Sequence, residues 1–273
     1  MRRFAIGQAE AGSPRLLVVA GPCVVESFET CVRVATHLAA ACAARGMPYV
    51  FKASYAKANR SSARSFAGLP TDEALAILAR VKRETGVPVL TDVHSEPEVA
   101  PAAEVADALQ IPAFLSRQTA LLQAAARTGR AVNVKKGQFM APEDMKQVVE
   151  KLVAAGGERI LLTERGTSFG YHDLVVDMRS LVVMRELGWP TLYDATHSLQ
   201  RPGGEVSGGD RRFAFPLMRA AVACGVDGLF FESHPDPARA LSDAATQLPL
   251  GEAESFLDEA RRVHEGVSER AHA

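Results

Sequence analysis

Lys52, Lys57 and Arg60 stand close together in the stretch Phe51-Lys-Ala-Ser-Tyr-Ala-Lys-Ala-Asn-Arg-Ser-Ser62, interleaved with Ser54, Asn59, Ser61 and Ser62. Cations give phosphate charge-assisted bonds, while hydroxyls and amides give sugar hydroxyls neutral partners. The mixture suits a phosphorylated, hydroxyl-rich small molecule. It follows an apolar entry, Pro48-Tyr-Val-Phe51, that reads as a buried strand, so the polar residues stand at a strand exit. The competing reading is a solvated surface loop. It weakens because the same pattern recurs at other strand exits.

Those exits carry a coherent inventory. Cys23 and Glu26 follow the first apolar run, Asp92 and His94 the third, and Arg117 and Gln118 the fourth. Asn133, Lys135, Lys136 and Gln138 belong to the fifth, and Glu164 and Arg165 to the sixth. Asp194, His197 and Gln200 mark the seventh, and Glu232, His234 and then Asp243 the eighth. Each alone has a structural reading, such as a helix-terminal charge or a paired surface ion. Charges of both signs gathered at one rim are costly unless paired or bound, which points to a ligand site. Lys52, Lys57, Arg117, Lys135 and Arg165 form a cationic set suited to phosphate and carboxylate. Cys23, His197, Glu232 and Asp243 form a metal-ligand set of thiol, imidazole and carboxylates. Sulfur and nitrogen mixed with oxygen suit a divalent transition metal such as zinc, iron or manganese better than calcium or magnesium.

The elements that must position these residues are short apolar runs alternating with helical patterns. The runs are Leu16–Ala20, Tyr49–Phe51, Val87–Leu90, Ala108–Ile111, Ala131–Val134, Arg159–Leu162, Thr191–Tyr193 and Gly228–Phe231. Between them, Ser27 is expected to cap a helix ended by Gly46, Thr71 one stopped by Gly86, and Ser95 with Glu98 to form a capping box. Gly129, Gly156 and Gly225 close others. This alternation predicts parallel β/α units, and their number fits an α/β fold made of a single (β/α)8 TIM barrel. A doubly wound open sheet is the alternative. No Gly-x-Gly-x-x-Gly follows the first run, which weighs against a dinucleotide fold. In a barrel the first and last strands are neighbours, so Cys23, His197, Glu232 and Asp243 can converge despite their sequence separation. Residues 1–15 read as a short N-terminal extension beneath the barrel, and 16–273 as one catalytic domain.

Bulk properties exclude other classes. The chain has 273 residues, 47% hydrophobic and 23% charged, and a formal net charge of -1. This is ordinary for a globular protein and gives no basic face for nucleic acid. The four cysteines, at 23, 31, 42 and 224, form no CxxC pair and suggest neither a disulfide framework nor a zinc ribbon. No apolar run approaches a membrane span, and the N-terminal apolar run is too short for a signal peptide. The expected location is the cytoplasm.

Several of these motifs together carry a resemblance. Ala20-Gly-Pro-Cys-Val-Val-Glu-Ser27, Lys57-Ala-Asn-Arg-Ser-Ser62, Gln110-Ile-Pro-Ala-Phe-Leu-Ser-Arg-Gln-Thr119 and Val132-Asn-Val-Lys-Lys-Gly-Gln-Phe139 resemble the 3-deoxy-D-manno-octulosonate 8-phosphate synthases. So do Leu162-Thr-Glu-Arg-Gly-Thr167, Phe169-Gly-Tyr171, Tyr193-Asp-Ala-Thr-His-Ser198 and Ala240-Leu-Ser-Asp243, in the expected order from about residue 16 to 250. The resemblance implies a transferase that condenses phosphoenolpyruvate with D-arabinose 5-phosphate and water, releasing inorganic phosphate, for lipopolysaccharide synthesis. It also implies a barrel fold and a homotetramer.

The same resemblance assigns roles. Lys135 and Arg165 would hold the phosphoenolpyruvate phosphate and Lys52 its carboxylate end, with Lys57 and Arg117 near the forming bond or the same anion. Asn59, Arg60 and Ser61 would receive the sugar phosphate, Arg60 on its phosphate, with Asp92 and Gln200 on sugar hydroxyls and Ser54 among the substrate-binding residues. Arg201–Gly209 resembles a loop that closes over the substrates. The family has a metal-free branch with asparagine where this chain has Cys23, so Cys23 implies the metal-dependent branch. Tyr55-Ala56 departs from the more familiar Phe-Asp. A Schiff-base lysine is an alternative chemistry, but phosphoenolpyruvate is already an activated enol and needs no imine. The nearest rival is 3-deoxy-D-arabino-heptulosonate 7-phosphate synthase, whose usual Lys-Pro-Arg-Thr-Ser is replaced here by Lys57-Ala-Asn-Arg-Ser. A non-catalytic sugar-phosphate-binding barrel is the rival from another class.

Overall fold

A computed structural model describes residues 1–58, 66–203 and 208–270. Eight parallel strands form a closed barrel: β1 (Leu17–Gly21), β2 (Tyr49–Lys52), β3 (Val89–Asp92), β4 (Ala108–Ile111), β5 (Ala131–Lys135), β6 (Ile160–Glu164), β7 (Thr191–Asp194) and β8 (Gly228–His234). Each pairs with the next, β8 pairs back onto β1 with Gly228 opposite Leu17 and Glu232 opposite Gly21, and β7 pairs with β8. The sequence-expected runs are all found, offset by a residue or two. The helices alternate with them: α1 (Phe28–Ala43), α2 (Thr71–Thr85), α3 (Glu96–Val105), α4 (Thr119–Arg127), α5 (Met145–Ala154), α6 (Arg179–Glu186), α7 (Ala214–Ala223) and α8 (Ala253–Arg270).

The strands are buried on both faces, as a parallel sheet under helices requires, which is why they read as unbroken apolar runs. Residues alternate in side. Leu16, Val18 and Ala20 pack outward against the helices. Leu17 and Val19 point inward with Val50, Leu90, Ala131, Leu161, Leu192 and Phe230. Ile6, Ala9 and Ala11 join this inner cluster from an N-terminal hairpin, Phe4–Ile6 against Ala9–Ala11. The hairpin turns at Gly7, whose φ of +55° and close approach to Pro88 leave no room for a side chain.

Helix starts follow the sequence signals in part. Ser27 caps α1, its Oγ accepting from Thr30 N at 3.1 Å. Gly86 ends α2 in the left-handed region. Thr71 is not a cap; Pro70 holds that place and Thr71 is the first helical residue. Ser95 stands at the cap of α3, but its hydroxyl donates to Glu98 and does not accept a backbone N–H. Glu98 turns back to accept from His94 N and from the Tyr55 hydroxyl, so its acceptors are used outside the expected box. Short hairpins rise from the C-terminal face: Thr167–Ser168 with Leu174–Val175, and Gln200–Arg201 with Gly208–Gly209.

Candidate active site at the C-terminal face

The potential metal donors come from three neighbouring strand ends. Cys23 follows β1, Glu232 lies within β8, and Asp243 lies on the segment beyond it, with a φ of +50°. That left-handed backbone is unusual for a residue other than glycine and needs its surroundings to hold it. One donor atom from each of these residues lies within 4.8 Å of the others. Cys23 Sγ is 2.9 Å from Asp243 Oδ2 and 3.0 Å from Ser242 Oγ. His197, on the turn after β7, brings Nε2 to 3.5 Å from Glu232 Oε1 and 3.8 Å from Asp243 Oδ2. Glu232 Oε2 is buried with no hydrogen-bond partner among the described residues. A buried carboxylate oxygen left without a partner beside a thiol and an imidazole fits a bound cation.

Asp194 orients the imidazole. Its Oδ1 accepts from Thr196 N and His197 N, and its Oδ2 from His197 Nδ1 at 2.8 Å and from Lys135 Nζ. Burial alone would raise this carboxyl, but His197 and Lys135 override it and hold it well below the usual range. An ionised acceptor keeps the proton on Nδ1 and leaves Nε2 facing Glu232 and Asp243, the second-shell arrangement of a metal-bound histidine. Burial pushes the Cys23 thiol well above its ordinary range, and Asp243 and Glu232 push it further. Binding a cation here would therefore release a proton.

The cations surround this group. Lys52 is buried and donates to Glu232 Oε1 at 2.9 Å, Cys23 O at 3.0 Å and Ser54 Oγ at 3.0 Å. Lys57 Nζ lies 4.0 Å from Glu232 Oε1. Burial opposes its charge, but Cys23, Glu232, Asp243 and Asp92 together raise its affinity for the proton. Lys135 is buried beneath His197 and over the Phe230 ring; burial pulls it down to about 8 against the opposing attraction of Asp194. Arg165 donates from Nη2 to Gln200 Oε1 at 2.8 Å, while its Nη1 is buried without a partner among the described residues. Asp92 accepts from Ser54 and Gln110; burial opposes its charge, but Lys52, Lys57 and His94 hold it well below the usual range. Buried cations, with Arg165 Nη1 lacking a partner among the described residues, stand beside a cluster of potential metal donors and can bind a small anion next to a cation.

The family follows from comparison. A family model described as the DAHP synthetase I family matches residues 5–269. The chain belongs to this family. Within it, a 2-dehydro-3-deoxyphosphooctonate aldolase of Trichlorobacter lovleyi is 56% identical over 94% of this chain and 95% of its own. Proteins of the same name from Geobacter metallireducens (53% identical, 96% and 97% covered) and Pelobacter propionicus (55%, 94% and 95%) match similarly. The resemblance read from the motifs is thus borne out across the chain.

In this DAHP synthetase I family member the structure gathers most of the sequence-expected residues. Cys23, Lys52, Ser54, Lys57, Asp92, Lys135, Arg165, His197, Gln200, Glu232 and Asp243 are joined by hydrogen bonds or ion pairs into one network. Arg117 differs: it is exposed, and among the described residues no side-chain contact ties it to the cluster. Asn59, Arg60 and Ser61 lie outside the described residues. Lys52 spends its N–H bonds on Glu232, Cys23 and Ser54, so it braces the pocket wall as well as charging it. Sequence reasoning placed Asp194 at an exit and gave it no role; an acid three residues before a potential metal-binding histidine was the available signal. Gln110, joined to Asp92 and Asn133, was missed because it sits inside an apolar run.

Proposed function

We propose that this chain condenses phosphoenolpyruvate with D-arabinose 5-phosphate and water to give 3-deoxy-D-manno-octulosonate 8-phosphate and inorganic phosphate. The observation that carries this is the match, at 51–56% identity over nearly the whole chain, to proteins named 2-dehydro-3-deoxyphosphooctonate aldolase. The pocket supports it, because the reaction joins anionic reactants and the rim supplies cations of graded burial. Carbon 3 of phosphoenolpyruvate attacks the sugar aldehyde while water adds at carbon 2, losing a proton. The aldehyde oxygen gains a proton, and the hemiketal phosphate collapses by C–O cleavage to the ketone and inorganic phosphate.

Arg165, whose Nη1 has no partner among the described residues, and Lys135 would hold the phosphate of phosphoenolpyruvate, and Lys52 would face its carboxylate. Lys57, cationic beside the acidic cluster, would offer an N–H to the aldehyde oxygen as its negative charge develops. Asp92 and Ser54 would take sugar hydroxyls, while Asn59, Arg60, Ser61 and the exposed Arg117 would meet the sugar phosphate or its approach. Cys23, His197, Glu232 and Asp243 would hold a divalent transition metal. Bound there, such an ion supplies Lewis acidity or a lowered pKa for water.

Phosphate release with arabinose 5-phosphate against erythrose 4-phosphate, in metal-replete protein, tests the reading. Preference for arabinose 5-phosphate is expected; preference for erythrose 4-phosphate would move the chain to the heptulosonate synthases. Turnover with neither sugar would leave a binding barrel. Removing metal with a strong chelator should abolish turnover and a divalent metal should restore it; full activity in metal-free protein would refute the metal-dependent assignment. No helix among the described residues is long and apolar enough to cross a membrane, consistent with a cytoplasmic enzyme. The family resemblance implies a homotetramer, which light scattering would check.

A further inference from the structure

Gln200 touches both halves of the pocket. Its Oε1 accepts from Arg165 Nη2 at 2.8 Å, and its Nε2 donates to Asp243 Oδ1 at 2.9 Å. A guanidinium only donates and a carboxylate oxygen accepts, so the amide has one orientation that satisfies both neighbours. With Oδ1 of Asp243 engaged by Gln200, Oδ2 is the oxygen left facing Cys23 and His197. With Nη2 of Arg165 engaged, Nη1 is the nitrogen left buried without a partner among the described residues. One amide thus selects which atom each side chain presents to the pocket.

The backbone reinforces this. Gln200 opens the hairpin Gln200–Arg201 with Gly208–Gly209. At its base Gly209 lies so close to Thr246 that an added Cβ would stand 2.1 Å from Thr246 Cγ2. Thr246 N and Gln247 N both donate to Asp243 O. The hairpin base therefore rests on the same turn that holds Asp243 in its left-handed conformation.

We propose that Gln200 is a positioning residue that ties the anion-binding guanidinium of Arg165 to the carboxylate of Asp243, so that ordering either site orders the other. A direct contact to the sugar is not its main role. This rests on the phosphate and metal assignments proposed above. A cation that fixes Asp243 fixes the Gln200 amide and hence the Arg165 fork. By linkage, an anion on Arg165 then favours the cation by the same factor.

The test uses Gln200→Met, which keeps length and volume without hydrogen bonds, and Gln200→Ala as a second variant. Cobalt(II) affinity is measured in competition with a chelator, following the thiolate-to-cobalt charge-transfer band. Inorganic phosphate affinity is measured by calorimetry with and without cobalt(II). In both variants cobalt(II) affinity should fall about 10- to 100-fold, as for lost second-shell partners. The factor by which cobalt(II) tightens phosphate should shrink at least about fivefold, with the KM for arabinose 5-phosphate changing less than that. Unchanged cobalt(II) affinity and unchanged coupling in both variants would overturn the proposal. So would a rise in the sugar KM alone, which would make Gln200 a sugar contact. If the unaltered protein binds neither cobalt(II) nor phosphate, the site assignment itself fails, and the proposal with it.

Discussion

Replacing Asp194 with asparagine should disarm His197 without replacing any potential metal donor. The Asp194 side chain is completely buried, and its oxygens accept from Thr196 N, His197 N, His197 Nδ1 and Lys135 Nζ. An asparagine can keep its oxygen on the two backbone N–H groups only by turning its NH2 toward His197 Nδ1 and Lys135. The imidazole then accepts at Nδ1 and carries its proton on Nε2, the atom that faces Glu232 and Asp243. Losing this second-shell partner should cost about 10- to 100-fold in metal affinity, or about 1.4–2.7 kcal/mol. Lys135 meanwhile loses its counter-ion in a buried setting, which costs about 3–5 kcal/mol of stability. At about 2–4 °C per kcal/mol for a chain of this size, Tm should drop by roughly 10 °C. Chelator competition, nitrogen-15 spectra of the His197 ring and thermal unfolding read the effects separately. Adding Lys135→Met should restore much of the stability and none of the metal affinity. Metal affinity within about twofold of the original chain, less than second-shell losses usually cost, with Nδ1 still protonated, would refute the orienting role.

Lys135 should give opposite pH slopes for stability and for anion binding. Its native value, about 8, lies below the ~10.4 of an unfolded lysine, so between these the unfolded chain binds more protons. Its contribution to stability should be full above about 10.4 and fade as pH falls through 8, whereas phosphate affinity should weaken as pH rises through 8. Calorimetry and thermal melts across that range check both, and a Lys135→Met chain should lose both slopes. Gly21→Ala should part β1 from β2 where Lys52 leaves the strand, because the new Cβ would stand 2.1 Å from Lys52 O and 3.0 Å from the Phe51 ring. A loss of about 1–3 kcal/mol or more is expected from this overpacking, and an unchanged thermal transition would contradict it.

The barrel was legible because its strands are buried on both faces and bounded by turn residues, so each announced itself as an apolar run. Cys23 and Asp243 were paired only through barrel closure, since local spacing says nothing about residues at the two ends of the chain. What stayed hidden was the direction of side chains. Lys52 read as a substrate cation, and its residue type did not reveal that tertiary packing also directs its ammonium onto Glu232, Cys23 O and Ser54. Arg117, on the loop between β4 and α4, stands exposed, which its residue type did not reveal. Thr71 had a capping side chain, yet Pro70 takes the cap because its fixed φ and missing N–H suit a helix start. Gln200 carried no local sign of bridging Arg165 and Asp243, because its partners come from the segments just after β6 and after β8.

A layered interior explains how a packed barrel tolerates so many polar groups at one end. Asp92, Gln110 and Asn133 are register partners on β3, β4 and β5, so their side chains all point inward. Thr163 donates to Asn133 Oδ1, Asn133 Nδ2 to Gln110 Oε1, and Gln110 to Asp92, while Ser54 donates to Asp92 from the other side. Lys52 donates to Ser54 and Glu232, carrying the belt round to β8. Below it lie Val50, Leu90, Ala108, Ala131, Leu161, Leu192 and Phe230, with Ile6 closing the bottom. The apolar layer keeps water from entering beneath, so the belt must satisfy itself, and it does so with each donor aimed at a definite acceptor. Because Asp92 receives bonds from both sides beside Lys52 and Lys57, it remains a charged acceptor at the pocket floor. Reversing either amide would set an acceptor against an acceptor along the belt, so Asn133 and Gln110 shape the pocket electrostatically without having to touch a ligand.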